Sequence, residues 1–559
     1  MTDALIKKIR ESVIGDRQGI ETCFGLKPLV YADYTASGRA LTFIENFIST
    51  KVLPFYANTH TETSFSGAQT TKFREEARHS IREAVNANSD DQVIFTGSGA
   101  TAAINKLIDI LNLRLPADLS ARHKLLDHLP LDARPVVFIG PYEHHSNEIP
   151  WRESIADVVV IPLAENGQLS IETLEKKLLQ YSSRELKIGS FSAASNVTGI
   201  KTDVDRVSAL LHSHGATSFW DYAAAAPYVA IDMNPQRVEC AKDAVFISPH
   251  KFVGGPGTPG VLIVKKQLLK NSVPASPGGG TVVYVTPEDH QFIADHQRRE
   301  EGGTPAIVES IRAGLVFGVQ QAVGTEKIEA LESEYKARAL KRWRKNPSLE
   351  ILGNADEDSL SIFSLRFKYK GQDLHYGFIV ALLNDLFGIQ ARGGCSCAGP
   401  YGHELLGMNM AYSRALEKQI LQGHMVLRPG WVRLNFNYFI GDEAFEYLLS
   451  AIDLVATHGW KMLPFYEFDK MSGTWRYQGK KMELESLSVA SLFDADSVSG
   501  VCEKPLELDE VLAQAKIELE RSGHKGKRYD LTLPAAADEL RWFALPQDIS
   551  VEDCVEMAS

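Results

Sequence analysis

Seven short apolar segments, separated by helical patterns, run through the first half of this chain and leave few folds open to it. They lie at 93–95, 136–139, 158–161, 188–193, 217–220, 245–247 and 261–264. Residues 70–87 place Phe73, Ala77, Ile81 and Val85 on one helical stripe. After Gly97-Ser98-Gly99 a second helical pattern sets Ile104, Leu107, Ile108 and Leu111 on one face, and further helical patterns fall at 171–181 and 204–214. A strand that is apolar along its whole length has no face to give to water, so helices must cover both sides of its sheet. The alternation therefore predicts an α/β fold built on a large, mostly parallel sheet.

The remainder reads differently. Residues 112–134 are polar and interrupt the alternation as an insertion, 274–280 (PASPGGG) form a loop, and 305–342 carry one long helical pattern. A new strand–helix–strand pattern at 350–460 predicts a smaller α+β domain, and the stretch beyond it carries no motif. The expected division is an N-terminal segment 1–30, a large domain 31–325, a small domain 326–465 and an extension 466–559. A chain of 559 residues with 59 basic and 71 acidic side chains carries −12, which argues against non-specific nucleic-acid binding and against a basic membrane footprint. No apolar run approaches the ~20 residues of a membrane span, and the mixed-charge start lacks a signal-peptide core, so a cytoplasmic location is expected. Of six cysteines, Cys23, Cys240, Cys502 and Cys554 stand alone while Cys395 and Cys397 form a close pair; this is too sparse for a disulfide framework.

Four strand ends carry candidate chemistry. Lys251, in Ser248-Pro249-His250-Lys251, follows a buried strand, where desolvation favours a neutral, nucleophilic amine; the plain alternative is a loop lysine with its head in water. Asp221 closes the strand before it and suits the ring nitrogen of a pyridoxal cofactor, or else caps a helix. Gly97-Ser98-Gly99-Ala100-Thr101 joins a strand to a helix N-terminus, a place for a phosphate, though its glycines match no nucleotide-binding spacing. Glu143-His144-His145-Ser146-Asn147 offers a histidine to stack on a cofactor ring or to serve structure; adjacent histidines without a third ligand do not make a metal site, and none is expected.

In this order the motifs GSGAT, EHHSN, SNVTG, WDYAAA, SPHK, GGTP, RGGCSCAGP and VRLNFN resemble the class V aminotransferase-fold enzymes, specifically the cysteine desulfurase and selenocysteine lyase group, over about residues 28–460. The resemblance implies the fold type I of pyridoxal 5'-phosphate enzymes. It further implies that Lys251 forms the Schiff base and that Ala100, Thr101, Ser248 and His250 hold the phosphate. His144 would stack on the ring, Asp221 would pair with its nitrogen and Asn196 would sit near the ring oxygen and the substrate carboxylate. Thr304 would complete the phosphate site of a second copy, implying a homodimer, and Arg433 would grip the substrate carboxylate. Tyr31-Ala32-Asp33-Tyr34-Thr35-Ala36 would line the pocket.

Cys397 stands where the group's desulfurases carry the sulfur-accepting cysteine, and the glycines around it suit a loop that swings. Cys395 could resolve a persulfide, pair with Cys397 or do nothing. The sequence departs from the group in three places: Ala224 replaces a glutamine, Thr61 replaces an arginine after His60, and the extension beyond residue 465 has no counterpart in ordinary desulfurases. The expected activity is conversion of L-cysteine, or a close sulfur or selenium amino acid, to alanine, with sulfur passed to Cys397 and on to a possible protein acceptor. A C–S lyase, epimerase or aminotransferase that does not use Cys397 is the alternative, and a cofactor-free cysteine-pair protein is the remaining class.

Overall fold

All seven apolar segments enter a single sheet. In the computed structural model the strands are β1 (Asp91–Thr96), β2 (Val136–Ile139), β3 (Asp157–Val160), β4 (Lys187–Ser192), β5 (Thr217–Asp221), β6 (Ala244–Ile247) and β7 (Gly260–Lys265). Their spatial order is β1-β7-β6-β5-β4-β2-β3. β2 to β6 pair in parallel, and β7 runs antiparallel to both β1 and β6. Every residue of β2, β4 and β6 is buried, which is why the stretches of β2 and β6 do not alternate with polar residues; every residue of the edge strand β3 is at least partly open. The described residues are 2–59, 61–484, 486–489, 493, 507–521 and 526–550, so His60, Cys502 and Cys554 lie outside them.

The register aligns one edge. Thr96 pairs with Gly260 and Ile247 with Val261, while Asp221 pairs with Phe246 and Ser192, and Ile139 with Ser190. The carboxyl ends of β1, β2, β4, β5 and β6 therefore stop in a row, the edge at which open α/β sheets place their ligands. The helices between them begin where the chain supplies caps: Ser64 accepts from Gly67, Ser170 from Thr173 and Asp203 from Arg206. The polar insertion forms the helix Ala117–His123 and two short 3-10 turns. The single helical pattern at 305–342 is two helices, Ile307–Val323 and Thr325–Trp343, because Gly324 at φ 88° breaks it.

Two compact units result, one from the described residues of 1–14, 34–333 and 354–360, the other from those of 15–33, 334–353 and 361–559. The second holds β8 (Leu349–Ile351), β9 (Ile362–Tyr369), β10 (Gln372–Leu374), β11 (Arg392–Gly394) and β12 (Trp431–Asn435), ordered β8-β9-β12-β11 with β10 also on β9, all antiparallel. The C-terminal stretch is built into this unit. Its helix Leu508–Glu520 packs on Asp442–His458, and Trp475, Trp542 and Phe543 surround the buried His375. His375 Nδ1 accepts from the Trp475 indole at 3.0 Å and its Nε2 donates to the Val426 carbonyl at 3.1 Å, while burial pushes its pKa down to about 3.

A buried ion cluster anchors the loop that carries Thr304. Glu301 accepts from Arg74 at 2.7 Å, from Arg78 at 2.9 Å and from the Phe95 amide at 2.7 Å. Its neighbour Glu300 accepts from Asn271 and Ala275. Burial alone would raise the Glu301 carboxyl, but Arg78 and then Arg74 outweigh it and hold it at about 2. A depressed pKa contributes stability above the unfolded carboxyl's range, and that contribution is lost as pH falls toward 2. Glu301→Gln, which leaves two buried guanidinium groups facing a neutral amide, should cost roughly 3 kcal/mol or more in urea unfolding near neutrality. It should also flatten the loss of stability between about pH 4.5 and 2.

Candidate active site

Five strand ends meet at the aligned edge of the first unit. β1 runs into Gly97-Ser98 and then the helix Gly99–Ile110, so the first free amides of that helix face the edge. Ala100 donates its N–H to the Ser248 hydroxyl at 2.8 Å, joining this turn to the one after β6. That second turn, Pro249–Lys251, is fixed from outside by the Gly38 amide, which donates to the His250 carbonyl at 2.8 Å. Gly99 sits at φ 59°, and a Cβ there would come within 2.8 Å of Ser248 Oγ and 2.9 Å of His250 Cε1. The space a side chain would take is left as a small cradle ringed by amide, hydroxyl and imidazole, which fits the phosphate of pyridoxal 5'-phosphate.

Ser146 ties the third strand end to the first. Its hydroxyl lies 2.6 Å from Thr101 Oγ1 and 3.0 Å from His144 Nδ1, and its backbone N–H donates to the same ring nitrogen at 3.1 Å. An N–H donor at Nδ1 makes that nitrogen an acceptor and leaves the imidazole proton on Nε2. Asp221, at the end of β5, accepts the Ala223 N–H at 2.8 Å. Residues 223–228 form turns and no helix, so the carboxylate is not a helix cap. Burial raises its pKa, opposed by the Ala223 amide and by the charge of Lys251. Lys251 also acts on His250, whose pKa is pushed down to about 4 by burial first and that lysine second. His250 is thus neutral at physiological pH, and Lys251 stands within electrostatic reach of both groups.

Asn196 is buried in the loop after β4, which Ser195 shapes by accepting the Val197 and Thr198 amides at 3.1 and 3.2 Å. Thr304 is exposed on its anchored loop, accepts from Asn58 at 3.2 Å, and with Thr96, Gly97, Thr258 and Glu309 lines a cavity of about 510 Å³. Ala224 is buried in the turns after Asp221, and Thr61 is exposed.

Glu143 and Ser146 flank the candidate histidine, and no local sequence pattern assigns either a role. Glu143 accepts from Gly140 N (3.2 Å), Ser192 N (2.9 Å), Ser192 Oγ (2.6 Å) and Asn147 Nδ2 (2.7 Å). Burial pushes its pKa up to about 7 against the pull of these donors, and the nearby Asp221 charge adds to the rise. A carboxylate at the end of an apolar strand, one residue before the candidate histidine, was the available signal.

The second unit carries the other two candidates. Arg433 lies in the middle of β12; it is buried and donates to Asp33 Oδ1 at 2.7 Å. Burial lowers its pKa, with Asp33 acting against that. Across the ladder Arg433 faces Arg392 of β11, the strand that leads to the cysteine pair. Cys395 to Ala398 then form a tight turn closed by the Ala398 amide on the Cys395 carbonyl at 3.2 Å. Its two central residues, Ser396 (φ 54°) and Cys397 (φ 57°), are both left-handed, as a type I′ turn requires and non-glycine residues resist. Cys395 and Cys397 are both partly exposed free thiols.

Residues 30–415 match the model of the aminotransferase class-V family. A probable cysteine desulfurase of Halalkalibacterium halodurans is 30% identical over 377 residues, covering 67% of this chain and 85% of that protein. One from Staphylococcus aureus is 28% identical over 378 residues, covering 67% and 84%. Among solved structures, a cysteine desulfurase from Thermococcus onnurineus superposes with a TM-score of 0.62 at 22% identity, over 77% of this chain and 95% of that one. One from Escherichia coli gives 0.59 at 22% identity, over 76% and 93%. These superpositions establish the fold, a large mostly parallel sheet domain with a smaller α+β partner, as fold type I.

The cradle can be tested at its narrowest point. Gly99→Ala should cost about 1–2 kcal/mol from the left-handed backbone. It should also weaken pyridoxal 5'-phosphate binding at least tenfold, read by titrating the visible absorbance of the bound cofactor.

Proposed function

The chain belongs to the aminotransferase class-V family, and from that premise we propose that it is a pyridoxal 5'-phosphate-dependent cysteine desulfurase. In this reading it converts L-cysteine, or a close sulfur or selenium relative, to alanine and transfers the sulfur to Cys397. The observation that carries the desulfurase reading is the cysteine turn itself, a partly exposed thiol on a strained tip directly after the strand that pairs with Arg433. A buried structural cysteine would not need such a backbone.

The Ala100 amide, Thr101, Ser248 and neutral His250 would hold the cofactor phosphate, and His144, its tautomer set by Ser146, would lie against the ring. Asp221 would keep the ring nitrogen protonated; a cation there offsets the burial that raises its pKa. When bound, the cofactor supplies an electron sink for charge developing at the substrate α-carbon. Lys251 would hold the cofactor and would be the base that removes the α-proton. Arg433 and Asn196 bind the substrate carboxylate. The Cys397 thiolate attacks the substrate sulfur, the C–S bond breaks, and the carbon skeleton takes up protons to leave as alanine while Cys397 keeps the sulfur as a persulfide.

A homodimer belongs to the same reading, with Thr304 completing the phosphate site of the second copy. The exposed Val283, Tyr284 and Val285, in the first strand of an antiparallel hairpin formed by Val282–Val285 and His290–Phe292, support such contact. A protein sulfur acceptor and a cytoplasmic setting complete the proposal; among the described residues no helix is long and apolar enough to cross a membrane.

Incubation with L-cysteine and a thiol reductant should yield alanine and sulfide in equal amounts. Cys397→Ser should abolish sulfide release while leaving the bound-cofactor spectrum intact, and Lys251→Ala should reduce turnover by roughly a hundredfold or more. Pyruvate with ammonia in place of alanine would identify a C–S lyase, and full activity of Cys397→Ser would remove the persulfide step.

A further inference from the structure

Residues 540–544 of the C-terminal stretch contact segments on either side of the cysteine turn. On the near side, Tyr376 presses on β11: a Cβ on Gly393 would meet its ring at 2.7 Å, and one on Gly430 would meet both that ring and Gly394. Trp542 lies over the outer face of Tyr376, rings 6.1 Å apart and 10° from parallel. Its indole N–H donates to the Leu427 carbonyl at 3.0 Å, just before β12. On the far side, the helix Gly399–Leu405 seats Gly402 against the Trp431 ring, and the helix Met410–Leu421 follows. From that helix the Tyr412 hydroxyl donates to the Leu540 carbonyl at 2.8 Å. Between these contacts Phe543 bridges to Asp373, and the Ala544 amide donates to the Asp373 carbonyl at 2.8 Å.

We propose that residues 540–544 are a strap that positions the Cys395–Cys397 turn, with Trp542 as the positioning residue acting through Tyr376 on Gly393 and Gly394. Two consecutive left-handed residues persist only when their surroundings over-determine them. Here the strap braces the near flank through Tyr376 and reaches the far side through Tyr412 of the helix Met410–Leu421. The catalytic consequence rests on the reading of Cys397 as the sulfur acceptor; the positioning itself does not.

The test is the rate of iodoacetamide alkylation of each cysteine in the full-length protein, read by peptide mass spectrometry. Cys23, in the same unit and hydrogen-bonded to Asp385, serves as the internal control. Trp542→Ala should speed alkylation of Cys395 and Cys397 roughly three- to tenfold, the scale of a lost aromatic pair, without change at Cys23. Trp542→Phe should return the rate to that of the unmodified chain. If Trp542→Ala does not fold, Trp542→Leu reads the same rate. An unchanged rate at the pair, or a rise at Cys23 in step with it, would overturn the proposal. Alanine production from L-cysteine is followed in the same samples. Its absence from the unmodified protein would remove the desulfurase reading while leaving the alkylation contrast intact.

Discussion

Ser248 and Ala100 are 148 residues apart and their strands are not neighbours, yet hydroxyl and amide meet at 2.8 Å. They meet because β7 lies between β1 and β6 and begins with a glycine. The Gly97 carbonyl accepts the Gly260 amide, and any Cβ on Gly260 would fall 2.1 Å from the Gly99 carbonyl. The two turns can therefore lean over the start of β7 and close on each other. The remaining features of the first unit's site hang from this closure. Thr101 is the next residue of the same helix and reaches Ser146, which orients His144; Lys251 is three residues beyond Ser248, and its charge acts on Asp221 and His250 alongside the burial that dominates both.

How much of this could be read from the sequence follows from the kind of force involved. Continuous apolar runs report burial on two faces, so the strands at 136–139 and 245–247 emerge within a residue of where they lie, and with them the strand ends that carry Asp221 and Lys251. Motif order then groups residues whose contacts no local pattern reveals. What stayed hidden depends on partners far away in the chain. The bond from Ser146 to Thr101 spans 45 residues, and Glu301 meets Arg74 and Arg78 more than 220 residues away. The reading of Asp221 as a helix cap was a local inference of the same kind, defeated because the small-residue run after it turns instead of coiling. Backbone carbonyls are equally silent: nothing about Leu427 or Leu540 announces that an indole or a phenol will donate to it.

The cysteine turn shows packing overruling local preference. Serine and cysteine both resist a positive φ, at a cost of about 1–2 kcal/mol each. The turn holds because its flanks leave it nowhere to relax: Gly394 is paired opposite Trp431, Gly393 lies under Tyr376, and Gly402 rests on the Trp431 ring. Gly393 and Gly430 stand where a ring or another backbone comes too close for a side chain, Gly394 has open space beside it but a φ of 120° that side chains rarely adopt, and side-chain-bearing residues stand where the chemistry is expected.

The setting of His375 bears on what kind of object the C-terminal stretch is. Its imidazole is buried, neutral, and bonded through Nδ1 to an indole that belongs to residue 475. Trp542 and Phe543 close the rest of that aromatic core. A chain cut at residue 465, near the end of the part that resembles the family, would take away the indole and both rings together. It would leave the small unit with an open core and His375 Nδ1 with the Gly377 amide alone. The stretch is thus no appendage added to a finished domain. The second unit has come to depend on it for its interior, so the shorter architecture is no longer one to which this chain could simply return.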